Sequence, residues 1–370
     1  MLINTLFNIS FNTFKFTSSI GVGYREVHCS NPRFLTSFSV LTAISISFNS
    51  NTSGLCSAIG AAGINPGDEV ITQALTFVAT CNAISYLGAR PIFIDVDKKT
   101  MGLSPDALSL FLEQHVIVNE QGKTINKSTG KIISACVPMH TYGHPCRINE
   151  IIEICKKYHI PVIEDAAESL GSKYKNISTG LFGSCGILSF NGNKIITTSG
   201  GGMLLSNNAE YIERARKLAS QARESVVHYE HLELGYNYRM SNIIAAIGRA
   251  QLKSLDSFIE KRKRIFSRYK KELNSIKGVN FMPEINHGSS TRWLSIMMVN
   301  DPVSKKINSI IHHLEEKNIE ARPVWKPMHL QPLYHNNKFF SINDQHSISE
   351  QLYKNGLCLP SGSNLTEADQ

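Results

Sequence analysis

The sequence predicts an α/β protein, with a mainly parallel sheet covered by helices and a smaller C-terminal domain beyond it. Three observations carry that expectation. Between Gly63 and Phe190 strand-like and helix-like stretches alternate, as they do when helices form the crossovers of a parallel sheet. After Asn237 the pattern turns helical over residues 241–276. The 370 residues exceed what one small core needs, and suit two domains or one large body with an appendage.

The opening resists assignment. Of its first 53 residues 22 are Ser, Thr or Asn, and seven of the 17 Phe precede residue 49, yet neither helical periodicity nor a signal-peptide pattern appears. Thr52-Ser53-Gly54 is expected to open a helix. Asn65-Pro66-Gly67-Asp68-Glu69 reads as a turn, residues 70–75 as an apolar strand, 78–87 as a helix closed by Gly88, and 91–96 as a buried strand. Strands follow at 131–137, 161–163 and 186–190, with a helix at 148–158 between the first two. Residues 241–276 read as one long connecting helix with Leu252, Leu255, Phe258, Ile259 and Phe266 roughly on one face. A strand at 292–299, a helix at 305–317 and a loop-rich tail make the small domain. The expected division is an atypical segment at 1–50, a large domain at 51–250, and a connecting helix with a small domain at 251–370 that stops as a last helix would begin.

Composition excludes several classes. With 42% hydrophobic and 18% charged residues the chain is neither disordered, collagenous nor a coiled coil. No apolar run approaches the roughly 18 to 20 residues of a membrane helix, so no membrane partner is expected. Eight cysteines form no C-x-x-C pair and no metal pattern, which reads as reduced thiols in a cytoplasmic protein without a metal. The net charge of +8 centres on Lys261-Arg262-Lys263-Arg264 with Arg268, Lys270 and Lys271. In a helical pattern this is first a solvated face, and no helix-turn-helix or zinc pattern accompanies it to argue for nucleic acid. A positive field also suits an anionic small substrate.

Two short stretches carry chemistry. Val162-Ile163-Glu164-Asp165 is an apolar strand ending in carboxylates, and ligands of open α/β sheets gather at such carboxyl ends. Alone, Asp165 serves a turn or helix cap equally well. Further on, Lys194 stands among small residues before Gly200-Gly201-Gly202, where a ligand can approach and an amine can meet a carbonyl. Alone, a lysine is more often a solvated charge and a glycine triplet a loop. Together they match the needs of pyridoxal phosphate: an amine for its aldehyde (Lys194), a carboxylate for its ring nitrogen (Asp165), an aromatic face (Phe77), and donors at a helix start (Thr52, Ser53).

Several motifs resemble the DegT/DnrJ/EryC1/StrS sugar aminotransferases. They are Pro66-Gly67-Asp68-Glu69-Val70, Leu75-Thr76-Phe77-Val78-Ala79-Thr80, the run from Glu164 to Gly171, Ser189 to Lys194, Gly235-Tyr236-Asn237-Tyr238-Arg239-Met240, the run from Arg322 to His329, and Leu359-Pro360-Ser361-Gly362. The resemblance covers roughly residues 50–370. It implies fold type I of the pyridoxal-phosphate transferases, the aspartate aminotransferase fold. It also implies Lys194 as Schiff-base lysine, Asp165 at the pyridine nitrogen, Phe77 on the ring, Thr52, Ser53 and Ser189 at the phosphate, and Glu168 beside the ring. The residue matching Asn237 reaches the neighbouring subunit's phosphate in the family, which implies a homodimer with shared sites. Tyr142, Trp325, Lys326 and His329 match loops on the sugar-nucleotide side.

The activity so implied is amination of a nucleotide-linked 4-keto-6-deoxy sugar with glutamate as donor. The wording of Ser189 to Lys194 resembles the branch acting on UDP-linked N-acetylhexosamines, with dTDP-linked sugars next. Departures are Asn51 where the family has Gly, Cys56 where it commonly has His, and an opening of about 50 residues foreign to the pattern. A shifted reading frame or a diverged start is the expectation for that opening. The competing reading it raises is a catalytically impaired or non-catalytic protein of the same fold.

Overall fold

The structure is a computed structural model that describes residues 44–300, 307–343 and 347–370. The chain order begins with β1 (Ile44–Phe48), helix α1 (Asn51–Ala61), β2 (Glu69–Gln73), α2 (Val78–Tyr86), β3 (Arg90–Ile94) and α3 (Pro105–His115). A hairpin of β4 (Val116–Val118) and β5 (Thr124–Asn126) leads to β6 (Ile133–Val137), α4 (Ile148–Lys157) and β7 (Ile163–Asp165). The short strands β8 (Lys173–Tyr174) and β9 (Ile177–Ser178) precede β10 (Cys185–Ser189), β11 (Gly202–Ser206) and α5 (Ala209–Ala219).

These elements build one sheet from two four-stranded halves, in the order β1-β11-β10-β7 and, with β16 (Phe339–Phe340), β16-β3-β2-β6. The halves meet along β6 and β7, where Cys136 bridges Val162 and Met139 bridges Asp165 in parallel. Every neighbouring pair is parallel except the two that involve β11, which runs against both β10 and β1. Strands β2, β10 and β11 are buried along their whole length, as a sheet covered on both faces requires. Helix α1 covers one face, with Leu55 and Ile59 packed among Phe48, Ile187 and Leu204. Burying each such side chain contributes roughly 1.5–3 kcal/mol. The mainly parallel α/β sheet predicted from the alternation is therefore present.

Two boundaries differ from the sequence expectation. Residues 44–50, expected to lie outside the fold, form β1 and the cap of α1: Ile46 and Phe48 are buried while Ser45 and Ser47 face the other way, a period-two pattern hidden in a Ser-rich stretch. Residues 1–43, with Cys29, lie outside the described residues, and so does the reading-frame expectation for them. The single long helix expected over 241–276 is two, α6 (Asn242–Leu252) and α7 (Leu255–Leu273). Ser254 leaves helical geometry at φ −104° and its N–H bonds the Gln251 carbonyl three residues back, so the chain turns while Leu252 and Leu255 stay buried.

The C-terminal region carries an antiparallel sheet in the order β12-β14-β17-β15, made of β12 (Val279–Phe281), β14 (Ser295–Val299), β15 (Arg322–Pro323) and β17 (Gly356–Leu359). A two-residue strand β13 (Gly288–Ser289) pairs with β8. Helices α8 (Ile307–Glu316) and α9 (Ile348–Asn355) complete it, and residues 305 and 306 of the expected helix are outside the described residues. Asp95, just past β3, ties this region to the main sheet by accepting from the Ile348 and Ser349 amides (2.7 and 2.9 Å) and from Ser341 Oγ (2.9 Å). No described helix is long and apolar enough to cross a membrane. The seven described cysteines are free and buried.

Candidate active site

Asp165 ends β7 at the carboxyl edge of the sheet, and its backbone is fixed on both sides. Its N–H bonds the Pro138 carbonyl at 2.9 Å and its carbonyl accepts from the His140 N–H at 3.1 Å. The buried side chain accepts from Thr80 Oγ1 (2.7 Å) and the Ala167 amide (3.1 Å), one on each oxygen, which leaves acceptor capacity for a further partner. Burial raises its pKa, with the Thr80 and Ala167 hydrogen bonds pulling the other way. A cation placed beside it would complete the pairing.

One residue back, Glu164 faces the opposite side of the strand and is fully buried. Its Oε1 accepts from the Phe182 and Gly183 amides (2.6 and 2.8 Å), and its Oε2 from the Gly180 amide and His140 Nε2 (2.8 and 2.9 Å). His140 Nδ1 accepts the Cys146 amide at 3.2 Å, which places the imidazole proton on Nε2. Glu164 thereby fastens the loop before β10 to the strand that carries Asp165.

Lys194 lies on the tip joining β10 to β11. Its ammonium touches Glu168 Oε1 at 3.2 Å and sits 4.1 Å from the centre of the Trp293 ring. Glu168 is buried, and its Oε2 accepts the Tyr142 amide at 2.8 Å. Burial pushes the Glu168 carboxyl up to about 7, against the opposing pull of the Lys194 charge. A small cleft is lined by Ala167, Glu168, Ser189, Lys194 and Trp293.

The remaining expected residues fall into three groups. Phe77, half exposed at the start of α2, lies 5.7 Å from Trp325, which in turn lies 4.4 Å from Tyr142. These rings form a wall continuous with the Glu168 contact. Tyr142 is wholly buried and accepts the Trp325 N–H on its hydroxyl at 3.0 Å, so it supports the wall from beneath. Thr52 and Ser53 stand in the first turn of α1, where Ser50 Oγ accepts the Ser53 N–H at 3.0 Å. Asn237 is joined to that turn through its carbonyl, which accepts from Asn49 Nδ2 at 3.2 Å. His329 turns elsewhere, stacked 3.7 Å over Phe339 with Nε2 3.2 Å from Glu350, and Lys326 follows Trp325 in the same loop.

Trp293, Glu164 and His140 were not foreseen. Trp293 is one of only two tryptophans in the chain, a signal available in the sequence. Consecutive carboxylates on a buried strand were a second signal, since each demands donors.

The residues present fit a pyridoxal-phosphate group. Asn51 Nδ2 at the start of α1 is a buried donor with no partner among the described residues, and a Cβ at Gly202 would come within 2.9 Å of Asn51 N. Donors and a bare backbone thus meet where a helix N-terminus favours a phosphate. Asp165 offers a buried carboxylate at the sheet edge, and Lys194 an amine beside Glu168.

Residues 34–370 match the pattern of the DegT/DnrJ/EryC1/StrS aminotransferase family. The chain belongs to that family. The match begins inside the opening that the sequence reads as foreign. Its relatives include the EpsN protein of Bacillus subtilis (strain 168), 49% identical over 321 residues that cover 87% of this chain and 79% of EpsN. The GDP-perosamine synthase of Escherichia coli O157:H7 is 38% identical over 318 residues, 86% of this chain and 80% of that protein. A solved DegT DnrJ EryC1 StrS aminotransferase from Brucella abortus aligns with a TM-score of 0.77 at 26% identity, covering 88% of this chain and 82% of that one. The aminotransferase fold of type I holds, and with it pyridoxal phosphate as the cofactor of this DegT/DnrJ/EryC1/StrS aminotransferase.

Proposed function

We propose that this aminotransferase converts a nucleotide-linked 4-keto-6-deoxy sugar to the 4-amino sugar, with glutamate as amine donor, in the cytoplasm. The observation that carries the reading is Lys194 held between Glu168 and Trp293 on the same strand edge as Asp165. Asp165 pairs with the ring nitrogen, Phe77 faces the ring, and Asn51, Thr52, Ser53 and Ser189 hold the phosphate. The bound cofactor supplies an electron sink for the carbon that gives up its proton. Lys194 carries that proton at Nζ between the two carbons that exchange it. The aromatic wall of Phe77, Trp325 and Tyr142 keeps water from the ring side.

The nucleotide is read as UDP from the wording around Lys194, with GDP as the second reading because the Escherichia coli and Caulobacter vibrioides relatives, 38% and 35% identical, are GDP-perosamine synthases. Trp325 and Lys326 are the candidates on the sugar-nucleotide side, and His329, stacked on Phe339, is not. The active unit is read as a homodimer. Val227, Tyr229, Leu232, Leu234 and Ile243 are all more than 70% exposed in one stretch around Asn237, an apolar surface that a second copy would cover. A large cofactor domain and a small domain centred on the β12-β14-β17-β15 sheet are the matching division.

The test is a panel of UDP-, GDP- and dTDP-linked keto sugars with glutamate, read by product mass, beside the Schiff-base absorption of wild type and Lys194→Ala. Wild type should show the band and aminate one nucleotide class, and Lys194→Ala should do neither. A wild-type protein that shows no band with added cofactor, or aminates none of the panel, overturns the reading.

A further inference from the structure

We propose that Glu168 is the proton acceptor that turns the Lys194 ammonium into the amine that captures the cofactor aldehyde. This rests on the aminotransferase reading of the site and assigns one of its residues a step. The pair is enclosed: the Glu168 side chain is 1% exposed and that of Lys194 12%. One Glu168 oxygen is taken by the Tyr142 amide, so the other, 3.2 Å from Nζ, is the acceptor the ammonium meets. The other face of the ammonium is closed by the Trp293 ring, whose indole N–H donates to the Asn193 carbonyl at 2.9 Å and so is fixed to the lysine turn itself. Arg262, buried in α7, donates to the Trp293 backbone carbonyl at 2.6 Å and so fixes the backbone that carries the ring.

An ammonium has no lone pair and cannot attack a carbonyl. In the step assigned here an N–H bond of Lys194 breaks and an O–H bond forms on Glu168. The freed lone pair attacks the aldehyde carbon, a carbon–nitrogen double bond forms, and the aldehyde oxygen leaves as water with the two hydrogens still on the amine. The proton on Glu168 then stands beside the new nitrogen.

The groups that face Glu168 support an acceptor near neutrality. Lys194 pulls its carboxyl down, Asp165 pushes it up, and the Tyr142 amide stabilises the anion. The Tyr142 phenol and the Cys358 thiol are both raised by burial and stay protonated, so neither competes for the proton. Desolvation is the largest influence and brings the carboxyl to about 7, close to where an acid and base trade protons most effectively at neutral pH.

The experiment follows cofactor uptake by apoprotein in stopped flow, from pH 6 to 9, for wild type and Glu168→Gln. Glutamine keeps the size and an acceptor for the Tyr142 amide, and circular dichroism checks that it folds. When the pair shares one proton, the wild-type uptake rate rises to about pH 7 and then levels, because above that step the pair keeps its single proton and the share of it on Glu168 does not depend on pH. In Glu168→Gln, uptake near neutrality should be at least about tenfold slower and should not level at pH 7, since the amine must lose its proton to water. A second readout needs no cofactor: acetylation of Lys194 in apoprotein by a small reagent, quantified by mass spectrometry, should show the same contrast. Matching rates and matching profiles in the two proteins overturn the role of Glu168 while leaving the aminotransferase reading in place. A wild-type protein that never takes up the cofactor overturns both.

Discussion

Replacing Glu164 by glutamine changes one oxygen to an amide nitrogen and almost nothing in volume, yet Glu164 accepts four hydrogen bonds. A glutamine amide nitrogen only donates, so in either orientation two donors face a donor. The Oε2 side meets the buried Gly180 amide and His140, whereas the Phe182 and Gly183 amides on the Oε1 side are partly open to water. The amide will therefore turn its nitrogen toward Phe182 and Gly183, where solvent relieves part of the cost. Two partly buried donors at about 1–3 kcal/mol each, reduced by that relief, give a loss of roughly 3 kcal/mol. Set against a total stability of about 5–15 kcal/mol, this is a large fraction. Urea unfolding of the apoprotein should show a lower midpoint with unchanged slope. A loss below about 1 kcal/mol would refute the argument that this carboxylate anchors the loop to the Asp165 strand.

Two further outcomes follow from the geometry. Asp95→Ala leaves the Ile348 and Ser349 amides and the Ser341 hydroxyl without their acceptor at the start of α9, and should cost about 3–5 kcal/mol in urea unfolding, with Asp95→Asn retaining part of the loss. Glu168 goes from an ordinary value of 4.5 to about 7 on folding, so between those values the folded chain binds a proton that the unfolded chain has released. Its contribution to stability therefore falls as pH rises through that window, by about 3 kcal/mol at most, and is fully lost above about pH 7. The stability of Glu168→Gln relative to wild type should rise over the same range in apoprotein melts, and a flat difference would contradict the buried, raised carboxyl.

The parts of the fold that were legible in the sequence are those where side-chain pattern and geometry coincide. Pro66 and Gly67 mark a real turn, Gly88 takes φ +74° after α2, and the apolar runs around 70, 92 and 187 are buried strands. The break at Lys253 and Ser254 was hidden because the apolar stripe continues across it, and periodicity is blind to a bend that keeps the stripe buried. In the candidate site, Lys194 and Asp165 stand out in the sequence because few residue types perform the chemistry proposed for them. Glu164 was not, since its partners are backbone amides of Gly180, Phe182 and Gly183, which no side-chain pattern announces. Trp293 was missed for a related reason: its contact with Lys194 spans 99 positions and depends on where α7 sets it.

Because β11 runs against β10, residues 190–201 join two adjacent strands, and the tip that carries Lys194 is tethered to them at both ends. Phe190 N–H bonds the Gly201 carbonyl and Thr198 N–H bonds the Phe190 carbonyl, each at 2.9 Å, cinching the tip at its base. In the parallel remainder of the sheet a loop at this edge leads into a crossover and can loosen by itself. The Phe190–Gly201 bond continues the ladder of two fully buried strands, so the base of this tip is held by the sheet itself and the Phe190 amide should exchange more slowly than those of the tip.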